Sequence, residues 1–183
     1  MTKHEGDGGM TYHPKSGRIS KASLEIGVLG DLDELNATVG LLSSLLPKSC
    51  DGIKIMLSQV QKTLFKVGES CTCSADAKRV IAIGSALGDL ERCLTSFNEE
   101  VLPLRHFILP EGHTAACTAQ VARAVCRRAE RALVGVTEKG EGESSEELKK
   151  ALAYINRLSE FLFAVARIIN HREGWGEVAS CEW

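Results

Sequence analysis

Aromatic residues make up only 5% of this 183-residue chain, and only four prolines occur. That scarcity argues against a sheet-rich fold, whose pleats are packed by aromatic and β-branched side chains. Leu, Ala, Val, Glu and Arg dominate instead, a balance that favours helices. No excess charge of one sign is present. The net charge of −2 does not suggest a nucleic-acid or membrane-surface partner, although local clusters can still bind anions. No apolar run approaches the roughly 20 residues needed to span a bilayer. The opening MTKHEGDGG has neither the apolar region of a secretory signal nor the acid-poor amphipathicity of a transit peptide. The expected compartment is the cytoplasm, or the mitochondrial matrix for a eukaryotic chain.

Other absences narrow the chemistry. The seven cysteines, at 50, 71, 73, 93, 117, 126 and 181, are odd in number and form no C-x-x-C. They are expected to be reduced and mostly buried. A di-iron bundle needs Glu-x-x-His pairs. The residues three before His4, His13, His106, His113 and His171 are Met1, Met10, Pro103, Pro110 and Ile168, so that reading fails. No Ser–His–Asp or H-E-x-x-H signature is present either.

What remains is strong helical periodicity in one domain. The glycine-rich residues 1–30 read as an arm of loop and short turns. Asp31 or Asp33 can cap a helix running to about Leu46, before Pro47. Further helices fit 53–74 and about 78–101. The apolar connector LRHFILPEGHT, 104–114, ends at Thr114, a plausible N-cap for a helix to about Thr137. A solvated loop covers 138–147, and Ser144 or Ser145 opens a last helix to about His171. The expectation is an all-α, five-helix up-and-down bundle over 31–172, without strands, followed by a tail at 173–183.

Four segments can carry chemistry. Arg123, Arg127, Glu130 and Arg131 share one face of VARAVCRRAER, 121–131, and Arg128 lies about 100° from Arg127. Converging guanidiniums suit a polyphosphate, because each can donate two hydrogen bonds to phosphate oxygens. Spacing alone leaves a solvated, salt-bridged face as an equal alternative. Small apolar neighbours such as Val121, Ala122, Ala124 and Ala129 suggest a helix buried on most sides, where arginines need partners. In YINRLSEFLFAVARIIN, 154–170, Asn156, Glu160, Phe163 and Arg167 share a face, which points into a site or forms an internal ion network. GDGGMT, 6–11, can wrap an anion with backbone N–H groups but lacks a Walker A ending. Lys15, Arg18 and Lys21 follow it. GDLDELN, 30–36, places carboxylates where they serve either capping or a site.

Taken together, TKHEGDGGMT, GRISK, GDLDELNATVG, FILPEG, VARAVCRRAER and YINRLSEFLFAVAR resemble the PduO-type ATP:cob(I)alamin adenosyltransferases, in the family order and across residues 2–170. The resemblance implies a five-helix bundle assembled as a homotrimer, with active sites between subunits, and binding of ATP with Mg2+ and of a reduced corrinoid. It implies an ATP-wrapping arm comprising Thr2, Lys3, Gly6, Asp7, Gly9, Thr11 and Lys21. It further implies polyphosphate binding by Arg127, completed by Glu130 and Asn156. Asp33 and Arg123 resemble an inter-subunit salt bridge, and Phe107 an aromatic facing the corrinoid's lower side. A corrinoid reductase is a candidate partner. Three departures stand out: Glu111 where the family usually has glycine, Ala119-Gln120 where it has Leu-His, and an arm one residue longer.

The implied reaction moves the 5′-deoxyadenosyl group of ATP to cobalt and releases triphosphate. Co(I) is the nucleophile, so no general base is required. Lys21, Arg127 and Mg2+ would stabilise the leaving triphosphate, and Phe107 would exclude the lower axial ligand. A non-catalytic nucleotide sensor or corrinoid carrier would keep the arginine face without turnover.

Overall fold

Val28, Leu32, Leu35, Val39 and Leu42 recur every three or four positions and are all buried, so residues 24–45 wind into one amphipathic helix. The computed structural model describes residues 6–139 and 145–180. Its helices are α1 (Leu24–Leu45), α2 (Asp51–Thr72), α3 (Ala77–Glu100), α4 (Thr114–Lys139) and α5 (Glu146–Arg172). A single 3-10 turn, Lys48–Cys50, links α1 to α2.

The expected start of α1 is wrong. Asp31 and Asp33 are not caps, because the helix begins at Leu24 after an extended Ser23. Gly27 and Gly30 lie inside it on the exposed side. A helical glycine costs about 1 kcal/mol against alanine, and burial of Val28 and Leu32 on the opposite side outweighs that cost. Thr114 is likewise no cap but the first residue of α4. His113 stands before it, its Nδ1 accepting the Ala115 N–H at 3.1 Å. Elsewhere the caps follow expectation: Ser145 accepts the Leu148 N–H at the start of α5.

The strandless expectation also needs correction at the arm. Strands β1 (Met10–His13) and β2 (Gly17–Ser20) pair antiparallel, Met10 opposite Ser20 and His13 opposite Gly17. The turn between them is set by Gly17 at φ +70°, a conformation favouring glycine. Buried His13 accepts the Lys15 and Ser16 N–H groups at Nδ1. Two strands of four residues carry too little alternation to be read from sequence.

Around the bundle, α1 packs on α2 and α4, α4 on α5, and α5 on α3. The core faces of α1, α2, α3 and α5 carry large side chains, including Leu35, Leu57, Leu64, Leu90, Tyr154 and Leu162. Phe97 of α3 stacks on Phe161 of α5, centroids 6.0 Å apart. The buried face of α4 is lined with alanines, at 115, 116, 119, 122 and 129. Small side chains bring neighbouring helix axes closer together. Because α3 and α4 both lean on α5, the connector 101–113 must cross the end of that helix.

Of the six described cysteines, Cys50, Cys71 and Cys126 are buried and Cys73, Cys93 and Cys117 half-buried, all free thiols. Half rather than most are therefore interior. Burial pushes the Cys126 thiol up to about 12. The thiol donates to the Ile155 carbonyl, 3.3 Å away, and so stays an inert part of the core.

Candidate active site

Where the connector crosses α5, the end of α3, the middle turns of α4 and the later turns of α5 do not fill the space between them. They leave a cavity of about 700 Å³, within the range of small-molecule sites. Its apolar wall includes Leu94, Val101, Phe107, Ile108 and Phe163, and its polar wall Gln120, Arg123, Arg127, Glu160 and Arg167. The structure thus brings together two of the four segments singled out by sequence, the arginine helix and the α5 face, and adds the connector to them. Phe107 is 78% exposed at the mouth, and Leu102, Leu104 and Leu109 of the same connector are exposed with it, a concentration of apolar surface that marks a binding site.

The arginines of α4 divide the work. Arg128 turns toward α1, where it pairs with Asp31 at 2.9 Å and with Glu34. Arg123 donates its Nε proton to the Gln120 Oε1 at 2.8 Å and stands over the Phe163 ring, 5.8 Å from its centroid. Arg131 caps back on the Arg127 carbonyl at 2.9 Å. Arg127 is exposed at the cavity wall, and among the described residues its guanidinium makes no hydrogen bond or ion pair. Glu130 accepts a hydrogen bond from the Asn156 amide at 2.8 Å, so the expected pair does meet. One expectation fails: the helix is not buried on most sides, since Val121 is 56% exposed and Ala124 is also open. These two residues continue the Arg127 stripe.

Within the arm, Lys21 is the closing residue. Its Nζ donates to the Gly6 carbonyl at 2.9 Å and its backbone N–H to the Gly9 carbonyl at 2.8 Å. Gly9, at φ +73°, makes the turn, and Thr11 follows in β1. Asp7 is exposed. Thr2 and Lys3 lie outside the described residues. Among the described residues no hydrogen bond or ion pair joins Lys21 to Arg127. Asp33 and Arg123 are also separate: Asp33 lies in an α1–α2 groove beside Phe65, away from the cavity that Arg123 lines.

Sequence reading missed three participants. Gln120, at the Ala119-Gln120 departure, is the acceptor that orients Arg123. Asn170 clamps the connector: its Oδ1 accepts the His113 N–H at 3.0 Å and its Nδ2 donates to the Glu111 carbonyl at 2.8 Å. Glu177 pairs with Arg167 at 2.5 Å from a tail with no periodicity to signal it. The clamp depends on Gly112, whose φ is +106° and whose added Cβ would fall 2.4 Å from the Asn170 Oδ1. Gly112→Ala is expected to destabilise the fold by about 1–3 kcal/mol, seen as a lower Tm in thermal unfolding. An unchanged Tm would mean that the connector is not held by Asn170.

The family model described as cobalamin adenosyltransferase matches residues 1–169. A cobalamin adenosyltransferase from Cupriavidus metallidurans is 36% identical over 94% of this chain and 89% of its own length. A corrinoid adenosyltransferase from Bacillus subtilis is 34% identical over 88% and 82%. The fold is similar to that of a variant PduO-type ATP:corrinoid adenosyltransferase from Lactobacillus reuteri complexed with cobalamin and ATP. That match has a TM-score of 0.83 and 28% identity over 100% of this chain and 99% of the other.

Proposed function

Because this chain belongs to the cobalamin adenosyltransferase family, we propose that its cavity is where the 5′-deoxyadenosyl group of ATP passes to the cobalt of a reduced corrinoid. The chain is an ATP-dependent corrinoid adenosyltransferase. The observation that carries the site assignment is the Arg127 guanidinium, without a hydrogen-bond or ion-pair partner among the described residues, beside an apolar cavity with Phe107 at its mouth. A polyphosphate needs the first, and a corrin ring the second.

In this reading Co(I) attacks the ribose C5′. The Co–C bond forms as the C5′–O bond breaks, and the bonding pair leaves with triphosphate. Arg127 meets the charge that develops on the leaving group, and Lys21 with Gly6, Gly9 and Thr11 holds the phosphates. Asn156 fixes the Glu130 carboxylate beside them. Phe107 fills the space below the corrin, so that water and a lower ligand are kept from cobalt. Mg2+ characteristically binds through substrate phosphates, water and one or two carboxylates. Glu130 suits that role, and among the described residues no cluster of three His, Cys, Asp or Glu side chains forms a protein cage for it. The ion would supply charge neutralisation on the triphosphate.

The separations within one chain favour a site shared between copies. An arm from one copy would reach the Arg127 of another, and Asp33 would reach Arg123. Exposed Phe65 and Val121, 66% and 56%, would be covered in such a contact. A homotrimer is the assembly we propose. Cobalt must be brought from Co(II) to Co(I), which calls for a corrinoid reductase, and the cytoplasm or mitochondrial matrix is the setting proposed. Among the described residues, no helix is long and apolar enough to cross a membrane.

The test is purified protein with ATP, Mg2+ and chemically reduced corrinoid, followed by the spectrum of the adenosylated product. Binding without product would overturn the site in favour of a sensor or carrier. Phe107→Ala is expected to slow Co(II) reduction and turnover by about tenfold or more, a barrier increase of about 1.4 kcal/mol, with ATP affinity unchanged. Equal loss of both would reassign Phe107 to packing.

A further inference from the structure

Arg167 is 7% exposed in the cavity wall, and its guanidinium is engaged through Nε and Nη2. Nε donates to the Glu177 Oε1 at 2.5 Å, and Nη2 to the Glu177 Oε2 at 3.2 Å and to the Leu102 carbonyl at 2.6 Å. Three separate segments therefore meet on one side chain: α5, the start of the connector and the tail beyond α5. The tail reverses at Gly174, φ +74°, where the Trp175 N–H reaches back to the Asn170 carbonyl at 2.8 Å. It then runs antiparallel to the connector, Ala179 opposite Ile108. Leu109 donates to the Val178 carbonyl at 2.9 Å, and Ser180 donates to the carbonyl of Phe107 itself at 2.8 Å.

From this we infer that Glu177 is a positioning residue for the corrinoid reaction: through Arg167 it fixes the tail strand, and the tail strand fixes the backbone of Phe107. The inference rests on the functional reading above. The physical case is that Phe107 itself has little to hold it, being 78% exposed. Its placement must come from its main chain. The connector has no helix or sheet of its own, and apart from the local bond from the Glu111 N–H to the Leu109 carbonyl, the main-chain ties at 107–109 among the described residues run to the tail. A bidentate carboxylate–guanidinium pair is stiff as well as attractive. Arg167 is nearly buried, so the pair is little screened, while Glu177, 32% exposed, stays solvated enough to avoid a large desolvation cost. A ring displaced by about 1 Å from a reacting centre can cost about 10²-fold in rate.

The experiment compares wild type with Glu177→Ala, Glu177→Gln, Ser180→Pro and the Glu177→Ala/Ser180→Pro double variant. Ser180→Pro removes the N–H that holds the Phe107 carbonyl without touching the ion pair. Glu177→Ala is expected to lower turnover at least about tenfold and to reduce formation of lower-ligand-free Co(II), read spectroscopically. The KM for ATP should stay within about twofold. Glu177→Gln, which keeps the shape and loses the charge, should fall between. The double variant should lose no more than the worse single one, because both act through one strand. Independently of turnover, amide exchange of Leu109 and Ser180 should quicken in Glu177→Ala, while exchange in the α4 and α5 cores stays as in wild type. Independent losses that add in the double variant, an ATP KM that rises equally, or unchanged exchange at Leu109 would overturn the inference. A wild type that yields no adenosylated product but shows the exchange response would instead sink the functional reading and leave the tether standing.

Discussion

Turnover falls at least about 10²-fold in Arg127→Ala, the expected loss for one preorganised donor aimed at developing charge. Folding is expected to survive, because the side chain lies outside the core and bonds to no described residue. The effect should therefore appear in kcat at unchanged Tm. Arg127→Lys keeps a charge but loses the planar fork, so it should recover only part of the rate. The informative control is Arg128→Ala, one residue along the same helix. Arg128 is tied to Asp31 and Glu34 across the α1–α4 contact, so its loss should leave the chemical step in place. Near-normal kinetics for Arg127→Ala, measured with saturating ATP and reduced corrinoid, would remove Arg127 from the site.

The second large effect is on stability and arises far from the cavity. Glu147, in the first turn of α5, is 2% exposed. Its carboxylate accepts from Ser70 at 2.9 Å, from the Asp76 N–H at 2.9 Å and from Arg79 Nε at 2.6 Å. It joins α5 to the end of α2 and the start of α3. Removing one partner of a buried pair costs about 3–5 kcal/mol. Arg79 would retain the Ser74 carbonyl and a 3.7 Å approach to Glu69, which places Glu147→Ala near the lower end. At about 2–4 °C per kcal/mol for a chain of this size, Tm should fall by about 6–12 °C. A smaller shift than about 2 °C would mean that the carboxylate is replaceable by water.

The same group gives a pH signature. Burial works against the Glu147 charge, but hydrogen bonds from Arg79, the Asp76 backbone and Ser70 together hold its carboxyl below the usual range. A depressed folded value contributes stability above the unfolded value, about 4.3 for glutamate. That contribution is lost as pH falls through the folded value. The stability gap between wild type and Glu147→Gln should thus be full near neutrality and shrink below about pH 4.3. A gap independent of pH in denaturant titrations would place the effect in packing.

Most of the bundle was legible because buried apolar residues recur at helical spacing: the starts of α2 and α3 fall within two residues of expectation. The start of α1 was misread because Gly27 and Gly30 look like breakers, whereas tertiary burial on the opposite face holds the helix together. The hairpin escaped because it depends on Gly17 and on the His13 side chain rather than on alternation. At the site, spacing placed Arg123 with Arg127 on one helix face and Glu160, Phe163 and Arg167 on another, but that the two faces line one cavity depends on how α4 packs on α5. The tie between Glu177 and Arg167 did not, because it depends on where a tail returns, and no local pattern specifies that.

The order of synthesis now acquires a meaning for the connector. Residues 107–109 leave the ribosome well before their partners at 178–180, and the last two of the five helices, α4 and α5, are made in between. The bundle can close around its core while Phe107 still lacks its main-chain partner. Competence for the corrinoid substrate would then be the last property the growing chain acquires. A product stopped just after α5 would keep the bundle and forfeit that property.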